Sequence, residues 1–409
     1  MPNPGLGTPN HGLGTPGPYA LLLDELLAEP PERMEARAAG ELDRIAVPFE
    51  NRMVLFGAAY LGKLALAGLR AAGVEPLAFC DNNSGLWDTK IQGVPVVSPA
   101  TAAAQYGDNA AFVTTLYNPA APRNQLRELG CGRIVPYPAL FWKYWRSMPN
   151  EDRLELPHRI LERASEMGPA YEMLSDEKSR AEFRAQIRWR CLLDSNCLPK
   201  PEPSRDMYFP PDLASMSPRE VFVDCGAFDG DSIRSFIQRT GGRFERIHAV
   251  EPDAANVAAL RRYCAELPAD VSARITVLPC AVGKEDGTAR FRAGGLASSK
   301  VAETGATLEV ECRTLDSALK GEHPTFIKMD LEGAEPDALL GAAKTMARCR
   351  PVMAVCAYHK CEHLWTIPKL LKAANPDYGI FLRRYAEDCW ETVYYAVPPE
   401  RLISSPKLS

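Results

Sequence analysis

The sequence predicts an α/β protein of two doubly wound domains joined by a helical connector, and three observations lead there. The chain has 409 residues, more than a single core of roughly 100–200 residues accommodates. Two stretches, 52–136 and 221–397, alternate short apolar runs with glycine-bearing turns and amphipathic helices, the pattern of parallel βαβ units. Between them, Trp142 to Leu213 lacks strand alternation and carries helical patterns from Asp152 to Met167 and from Asp176 to Leu193.

Residues 1–18 repeat Gly-Leu-Gly-Thr-Pro at Gly5 and Gly12 and predict a flexible tail. The first domain is expected over 19–140. It opens on one or two amphipathic helices (Leu22, Leu26, Leu27, Met34, Ala38) interrupted at Pro30-Pro31. Met53-Val-Leu-Phe, the turn Gly57 to Gly62, an Ala/Leu-rich helix and Pro76-Leu-Ala-Phe-Cys then form one βαβ unit. Val94 to Val97, a helix starting at Ser98-Pro99, Ala111 to Thr115 and Arg133-Ile-Val-Pro extend it to a small Rossmann-like parallel sheet. The connector is expected over 141–204, with prolines 199, 201, 203, 210 and 211 punctuating the approach to a second domain over 205–409. There the predicted strands are Val221–Asp224, Ile247–Glu251, Ile275–Leu278, Phe326–Asp330, Pro351–Tyr358, Ile380–Tyr385 and Thr392–Val397, the last two close enough to pair as an antiparallel hairpin.

Composition narrows the function. A formal charge of −5 argues against a nucleic-acid backbone as the main partner. No apolar run approaches the roughly 18 residues of a membrane span, and the start lacks the pattern of a signal peptide, so a cytoplasmic location is expected. The twelve cysteines include no C-x-x-C pair, and many, such as Cys80, Cys225 and Cys356, sit in strand-like runs, which argues for reduced thiols over disulfides or structural zinc. Base rates for an enzyme of this size favour a homo-oligomer.

The strongest chemical signal is Val221-Phe-Val-Asp-Cys-Gly-Ala-Phe-Asp-Gly-Asp-Ser232, an apolar strand ending in an acid and then glycines that open a helix. Ligands of open α/β sheets bind beyond the carboxyl ends of the strands, where Gly226 and Gly230 let backbone approach closely. Asp224, Asp229 and Asp231 crowd this turn; they repel a pyrophosphate and suit a ligand carrying an ammonium and a sulfonium. Glu251, ending the next strand in Ala-Val-Glu-Pro-Asp, stands where an acid accepts ribose hydroxyls. Pro279-Cys-Ala-Val-Gly283 is a small-residue segment placed to border a base ring.

Phe326-Ile-Lys-Met-Asp-Leu-Glu-Gly-Ala-Glu335 delivers Lys328, Asp330 and Glu332 to the same sheet edge. Lys328 reads either as a structural ion pair or as part of the site. His359 follows the fifth strand as the side chain best poised to take a proton near neutrality. Cys356, His359, Cys361 and His363 are not expected to converge on a metal, because Cys356 points into the core from mid-strand while His363 lies on the next helix; no metal ligands are assigned.

Asp-Cys-Gly-Ala-Phe-Asp-Gly-Asp-Ser, Val-Glu-Pro-Asp, Ile-Lys-Met-Asp-Leu-Glu-Gly-Ala-Glu and Tyr-His-Lys, in that order, resemble the FkbM family of S-adenosylmethionine-dependent methyltransferases over roughly residues 205–398. The resemblance implies a seven-stranded class I methyltransferase domain and O-methylation of a hydroxyl on a sugar, glycan or natural product. It places S-adenosyl-L-methionine on Asp224, Gly226, Ala227, Phe228, Gly230, Asp231, Glu251 and Pro252, with Cys280 and Ala281 beside the adenine. His359 is the first candidate for general base and Asp330 the second. Asp176-Glu-Lys-Ser-Arg and Met207-Tyr-Phe resemble elements preceding this domain in similar proteins, so Tyr208 is expected near the site. Acceptor specificity is expected from the loop Arg292 to Thr304 and from the connector.

In the first domain, Gly57-Ala-Ala-Tyr-Leu-Gly62 departs from Gly-x-Gly-x-x-Gly at its second glycine. Asp81 could meet a ribose, and the run to Gly93 resembles the nucleotide-binding part of sugar-modifying enzymes. Three readings stay open: a sugar-nucleotide site, a module for packing or partner binding, and an NAD(P)-dependent oxidoreductase. A non-catalytic carbohydrate-binding protein is a further alternative for the whole chain.

Overall fold

The computed structural model describes residues 25–26, 28–117, 119–149, 154–292, 300–301 and 308–403. The expected tail 1–18, and Leu22 and Leu27 of the first expected helix, lie outside them. The first sheet contains Met53–Phe56 (β1), Ala78–Cys80 (β2), Lys90–Ile91 (β3), Val94–Val97 (β4), Ala111–Thr114 (β5) and Ile134–Pro136 (β6), in the order β3-β4-β2-β1-β5-β6. Its pairings are parallel apart from the β3–β4 hairpin. β1 and β5 are buried along their whole length, which is why their sequences are unbroken apolar runs. The chain leaves β1 toward β2 and returns to β5 on the other side, so the carboxyl ends of β1 and β5 frame a topological switch point. The helix Pro31–Ala46 begins with proline in its first turn and buries one residue per turn, Ala38, Leu42 and Ala46 in one core with the helix Tyr137–Tyr144 and Met34 in the core of the seven-stranded sheet.

The second half contains Val221–Cys225 (β7), Arg246–Val250 (β8), Ile275–Leu278 (β9), Ala281–Val282 (β10), Gly287–Arg292 (β11), Lys300–Val301 (β12), Leu308–Arg313 (β13), Phe326–Met329 (β14), Val352–Cys356 (β15), Gly379–Arg384 (β16) and Thr392–Val397 (β17). Seven of these form one sheet in the order β16-β17-β15-β14-β7-β8-β9, parallel except for β17. The expected hairpin is present, with Arg384 opposite Thr392, and β17 enters between β16 and β15. The carboxyl ends of β7 and β14 lie side by side at the switch point, which is where a ligand of this architecture binds.

Two expectations need correction. Arg292, Lys300 and Val301 are strand residues of a four-stranded sheet, β10-β13-β11-β12, inserted between β9 and β14; the rest of the segment 292–304 lies outside the described residues. The signal was available: Leu308, Val310 and Cys312 alternate with Glu309, Glu311 and Arg313 at the two-residue period of a strand. The expected helix from Asp152 to Met167 is two short ones, Pro157–Leu161 and Ala164–Glu172, the second with Pro169 inside, and Asp152 lies outside the described residues.

The connector is not a spacer between two bodies. Ile160, Met167, Tyr171, Phe183 and Ile187 share one core with Ile327, Met353 and Ile380 of the seven-stranded sheet. The helix Glu177–Leu192 packs on β16, where the Ser179 hydroxyl accepts from the Leu382 amide at 2.9 Å and Ser175 N–H donates to the Ile380 carbonyl at 2.8 Å. A sheet edge that would otherwise present unpaired backbone is thereby covered. Among the described residues no disulfide links any of the twelve cysteines, and most are buried. Among the described residues no helix is long and apolar enough to cross a membrane.

Candidate active site

Backbone sterics build the site first. Gly226 follows β7 with φ +81°, and a Cβ there would lie 2.0 Å from the Asp330 carbonyl oxygen, so only glycine lets the ends of β7 and β14 close on each other. Gly230, with φ +92°, caps the helix Asp231–Thr240. Tyr208, Phe228, Glu332 and Glu391 also take left-handed backbone around this edge; such conformations concentrate where surrounding structure enforces a functional geometry.

Asp224, expected among the cofactor-binding residues, is turned inward. β7 and β14 pair with Asp224 beside Lys328. The Lys328 ammonium lies 3.0 Å from the Asp224 carboxylate and donates to the Gly226 carbonyl at 2.7 Å, and the Ser232 hydroxyl donates to the other Asp224 oxygen. Both side chains are almost wholly buried. Burial works against the lysine charge, but Asp224, Asp330 and Asp231 outweigh it and hold Lys328 protonated. The pair therefore clamps the glycine loop to the sheet. Asp229 is engaged by Arg234 at 2.6 Å, and Asp231 starts its helix in an exposed position.

Glu251 is buried at the end of β8. One carboxylate oxygen accepts from the Phe228 amide at 3.0 Å, the other from the Asp253 amide at 2.9 Å and the Asn256 amide group at 3.3 Å. Burial raises its pKa against those hydrogen bonds. Beside it a solvent-open cleft is lined by Gly226, Val250, Pro252, Cys280, Ala281, Val282, Asp330, Leu331 and Ala334. Of the sequence-predicted residues, Gly226, Pro252, Cys280, Ala281 and Asp330 line the cleft. Ala227 is buried beneath the loop, and Phe228, Gly230 and Asp231 shape it. A glycine cradle, apolar walls and a buried acid at the rim fit a nucleoside-like cofactor.

Asp330 is the centre of the polar cluster. The Tyr208 hydroxyl donates to one of its oxygens at 2.8 Å and the Tyr358 hydroxyl to the other at 3.4 Å. His359 lies behind it, fully buried, with Nε2 3.4 Å from Asp330 and 3.8 Å from Glu332, and Nδ1 2.7 Å from Glu335. Glu335 also accepts the Leu331 and Gly333 amides. Burial alone would raise the Glu335 carboxyl; His359 beside it and these hydrogen bonds bring it down to about 2. Burial lowers His359, and Glu335 with Asp330 and Glu332 more than reverses this, leaving its pKa raised. Burial pushes His363 down to about 4, so it is neutral.

The Cys/His quartet does not converge: Cys356 Sγ lies 3.9 Å from the Tyr208 hydroxyl, while His359 and His363 flank Glu335. Among the described residues, the side chains at metal-ligand spacing are Asp330, Glu335 and His359. Sequence reasoning missed Glu391, which no motif marks; burial pushes its carboxyl up to about 7 and the Asp330 charge adds to this.

In the first domain, Asp81 accepts the Ala58 and Asn83 amides, each at 2.8 Å, and so ties the Gly57 loop to its own turn. A Cβ at Gly62 would lie 1.9 Å from the Gly57 carbonyl, which makes that glycine a packing requirement.

The model of the methyltransferase FkbM domain matches residues 224–374. A solved methyltransferase FkbM from Methylobacillus flagellatus KT is 23% identical, with a TM-score of 0.71 over 92% of this chain and 98% of its own, so the two share a fold across both sheets. A putative rRNA methylase from Clostridium thermocellum (10% identity, TM-score 0.31, 46% of this chain and 90% of its own) aligns far less well. No curated protein matches the sequence. Residues 224–374 of the chain match the methyltransferase FkbM domain, and that match supports an S-adenosylmethionine-dependent methyltransferase.

Proposed function

We propose that this domain methylates a hydroxyl oxygen on a sugar, glycan or natural product, with Asp330 as the group that meets the acceptor and His359 as the residue that positions it. The observation that carries this reading is the placement of Asp330: it lines the cofactor cleft, two tyrosine hydroxyls hold its carboxylate, and the His359–Glu335 pair lies behind it. This reverses the order expected from sequence, because His359 is shut in by Glu335, Glu332 and Asp330 and is fully buried.

S-adenosylmethionine, when bound, supplies a methyl group activated by the sulfonium, leaving alignment and removal of one proton to the protein. Gly226 keeps the loop backbone low enough to admit it, Glu251 stands where ribose hydroxyls are accepted, and Cys280 and Ala281 form the wall for the base. Asp330 accepts the hydroxyl proton of the acceptor. The imidazolium of His359 stabilises the Asp330 carboxylate beside it, and Tyr208 and Tyr358 fix its direction.

Calorimetric titration with S-adenosylhomocysteine tests the reading. The intact protein and Asp330→Asn should bind it, Glu251→Ala should not, and Asp330→Asn should lose methyl transfer to hydroxyl acceptors. Failure of the intact protein to bind, with binding of NADH instead, would move the chemistry to the Gly57 loop and sink the proposal.

A further inference from the structure

A solvent-open cavity lies where the two halves of the chain meet. The ends of β5 and β6 supply Thr114 and Pro136, the connector supplies Trp189 and Arg190, and the second half supplies Tyr358 and Trp390. Its aromatic wall is continuous across the junction. Tyr117 meets Trp390 edge-on at 5.0 Å between centroids, and Trp390 meets Tyr358 at 6.1 Å. The Tyr358 hydroxyl then reaches Asp330, which lines the cofactor cleft. Cavity and cleft thus meet through a hydrogen bond between one residue of each lining. Arg123 of the first half closes the junction on Glu387 at 2.8 Å and Asp388 at 2.5 Å.

Arg190 is the anomaly in this wall. It is 8% exposed, and among the described residues no carboxylate lies within 4.0 Å of its guanidinium. Its hydrogen bonds go to the Gln186 side chain at 2.9 Å, to the Gln186 carbonyl at 3.4 Å and to the thiols of Cys361 and Cys389, which burial keeps protonated. The carboxylates of the cavity are already matched, Asp388 by Arg123 and Glu155 by Arg159. A buried guanidinium among neutral groups is costly unless an anion meets it, and its planar fork suits carboxylate and phosphate.

We propose that this cavity is the acceptor site of the methyltransferase, and that it takes a hydroxylated ring compound carrying one carboxylate or phosphate, the anion on Arg190 and the ring against the aromatic wall. The assignment to the acceptor rests on the methyl-transfer reading above; the anion site itself does not. Aromatic faces accept the apolar face of a pyranose and an aromatic ring alike, so the probes separate these sources.

Three of the six tryptophans, Trp142, Trp189 and Trp390, line the cavity, which gives a direct fluorescence readout. The full chain is titrated with glucuronate, glucose 1-phosphate and 4-hydroxybenzoate, and with uncharged glucose and phenol, each with and without saturating S-adenosylhomocysteine. At least one anionic probe should bind 10-fold or more tightly than its uncharged counterpart, and the best one identifies both ring and anion. Arg190→Gln should abolish that preference, Arg190→Lys should retain part of it, and Tyr117→Ala should weaken the probe, all three leaving the affinity for S-adenosylhomocysteine unchanged. Equal binding of charged and uncharged probes, no saturable binding, or a preference that survives in Arg190→Gln overturns the proposal. Anion binding in a protein that does not take S-adenosylhomocysteine would overturn the methyl-transfer reading and leave the anion site standing.

Discussion

Replacing Lys328 by methionine isolates the interaction that distinguishes the folded site from its sequence-level reading. The ammonium is 3% exposed, 3.0 Å from Asp224, and also holds the Gly226 carbonyl at 2.7 Å. Without it, the Asp224 carboxylate stays fully buried with Ser232 as its remaining side-chain partner. Breaking one side of a buried pair costs about 3–5 kcal/mol, so urea unfolding at pH 7.5 should shift by that amount. The deficit should depend on pH in a defined direction. The stranded Asp224 can fold only protonated, so its folded pKa lies above its unfolded value of ~3.9, and the penalty is present above that value and shrinks as pH falls toward it. The double variant Lys328→Met/Asp224→Asn should recover a large part of the loss, because an apolar or neutral replacement of both partners removes the uncompensated charge. A single variant within about 1 kcal/mol of the wild type, or a double variant no better than Lys328→Met, would refute the claim that Asp224 is held by the sheet rather than by the cofactor.

Gly226→Ala should destabilise the protein by at least about 2 kcal/mol and abolish S-adenosylhomocysteine binding by calorimetry, since its methyl would enter the Asp330 carbonyl at 2.0 Å from a left-handed backbone. A Glu335 carboxyl moved from 4.5 to about 2 contributes about 3 kcal/mol at neutral pH. The stability gap between wild type and Glu335→Gln in denaturant melts should therefore be largest between pH 5 and 6.5. It should close as pH falls toward 2, and narrow again as His359 loses its proton above its ordinary 6.5. The methyl-transfer rate should fall as pH drops below about 7, where Glu391 takes up a proton, and Glu391→Gln should remove that limb from the pH profile. Arg123→Ala should leave Asp388 buried without its partner, weakening anionic probes in tryptophan titrations while S-adenosylhomocysteine binds as before.

The sequence by itself determined the elements whose signals are local. Seven apolar runs marked the strands of the second sheet, and the hairpin could be placed because β16 and β17 are separated by one short turn. Gly226 and Gly230 marked the cofactor loop because positive φ is a property of a single residue. The inserted sheet was equally local, in the two-residue alternation of apolar and charged side chains along β13. Tertiary structure decided what depends on neighbours distant in sequence. Asp224 carries the same motif whether it faces ligand or lysine, and the β7–β14 register turns it to Lys328. His359 is shut in against Glu335 and Glu332, while Asp330 lines the cleft. Glu391 has no motif and acquires its near-neutral pKa wholly from the enclosure it folds into. The cavity at the junction needs Tyr117, Arg190 and Trp390 from three separate stretches of chain, and a one-dimensional pattern contains no term for a space that appears when two sheets meet.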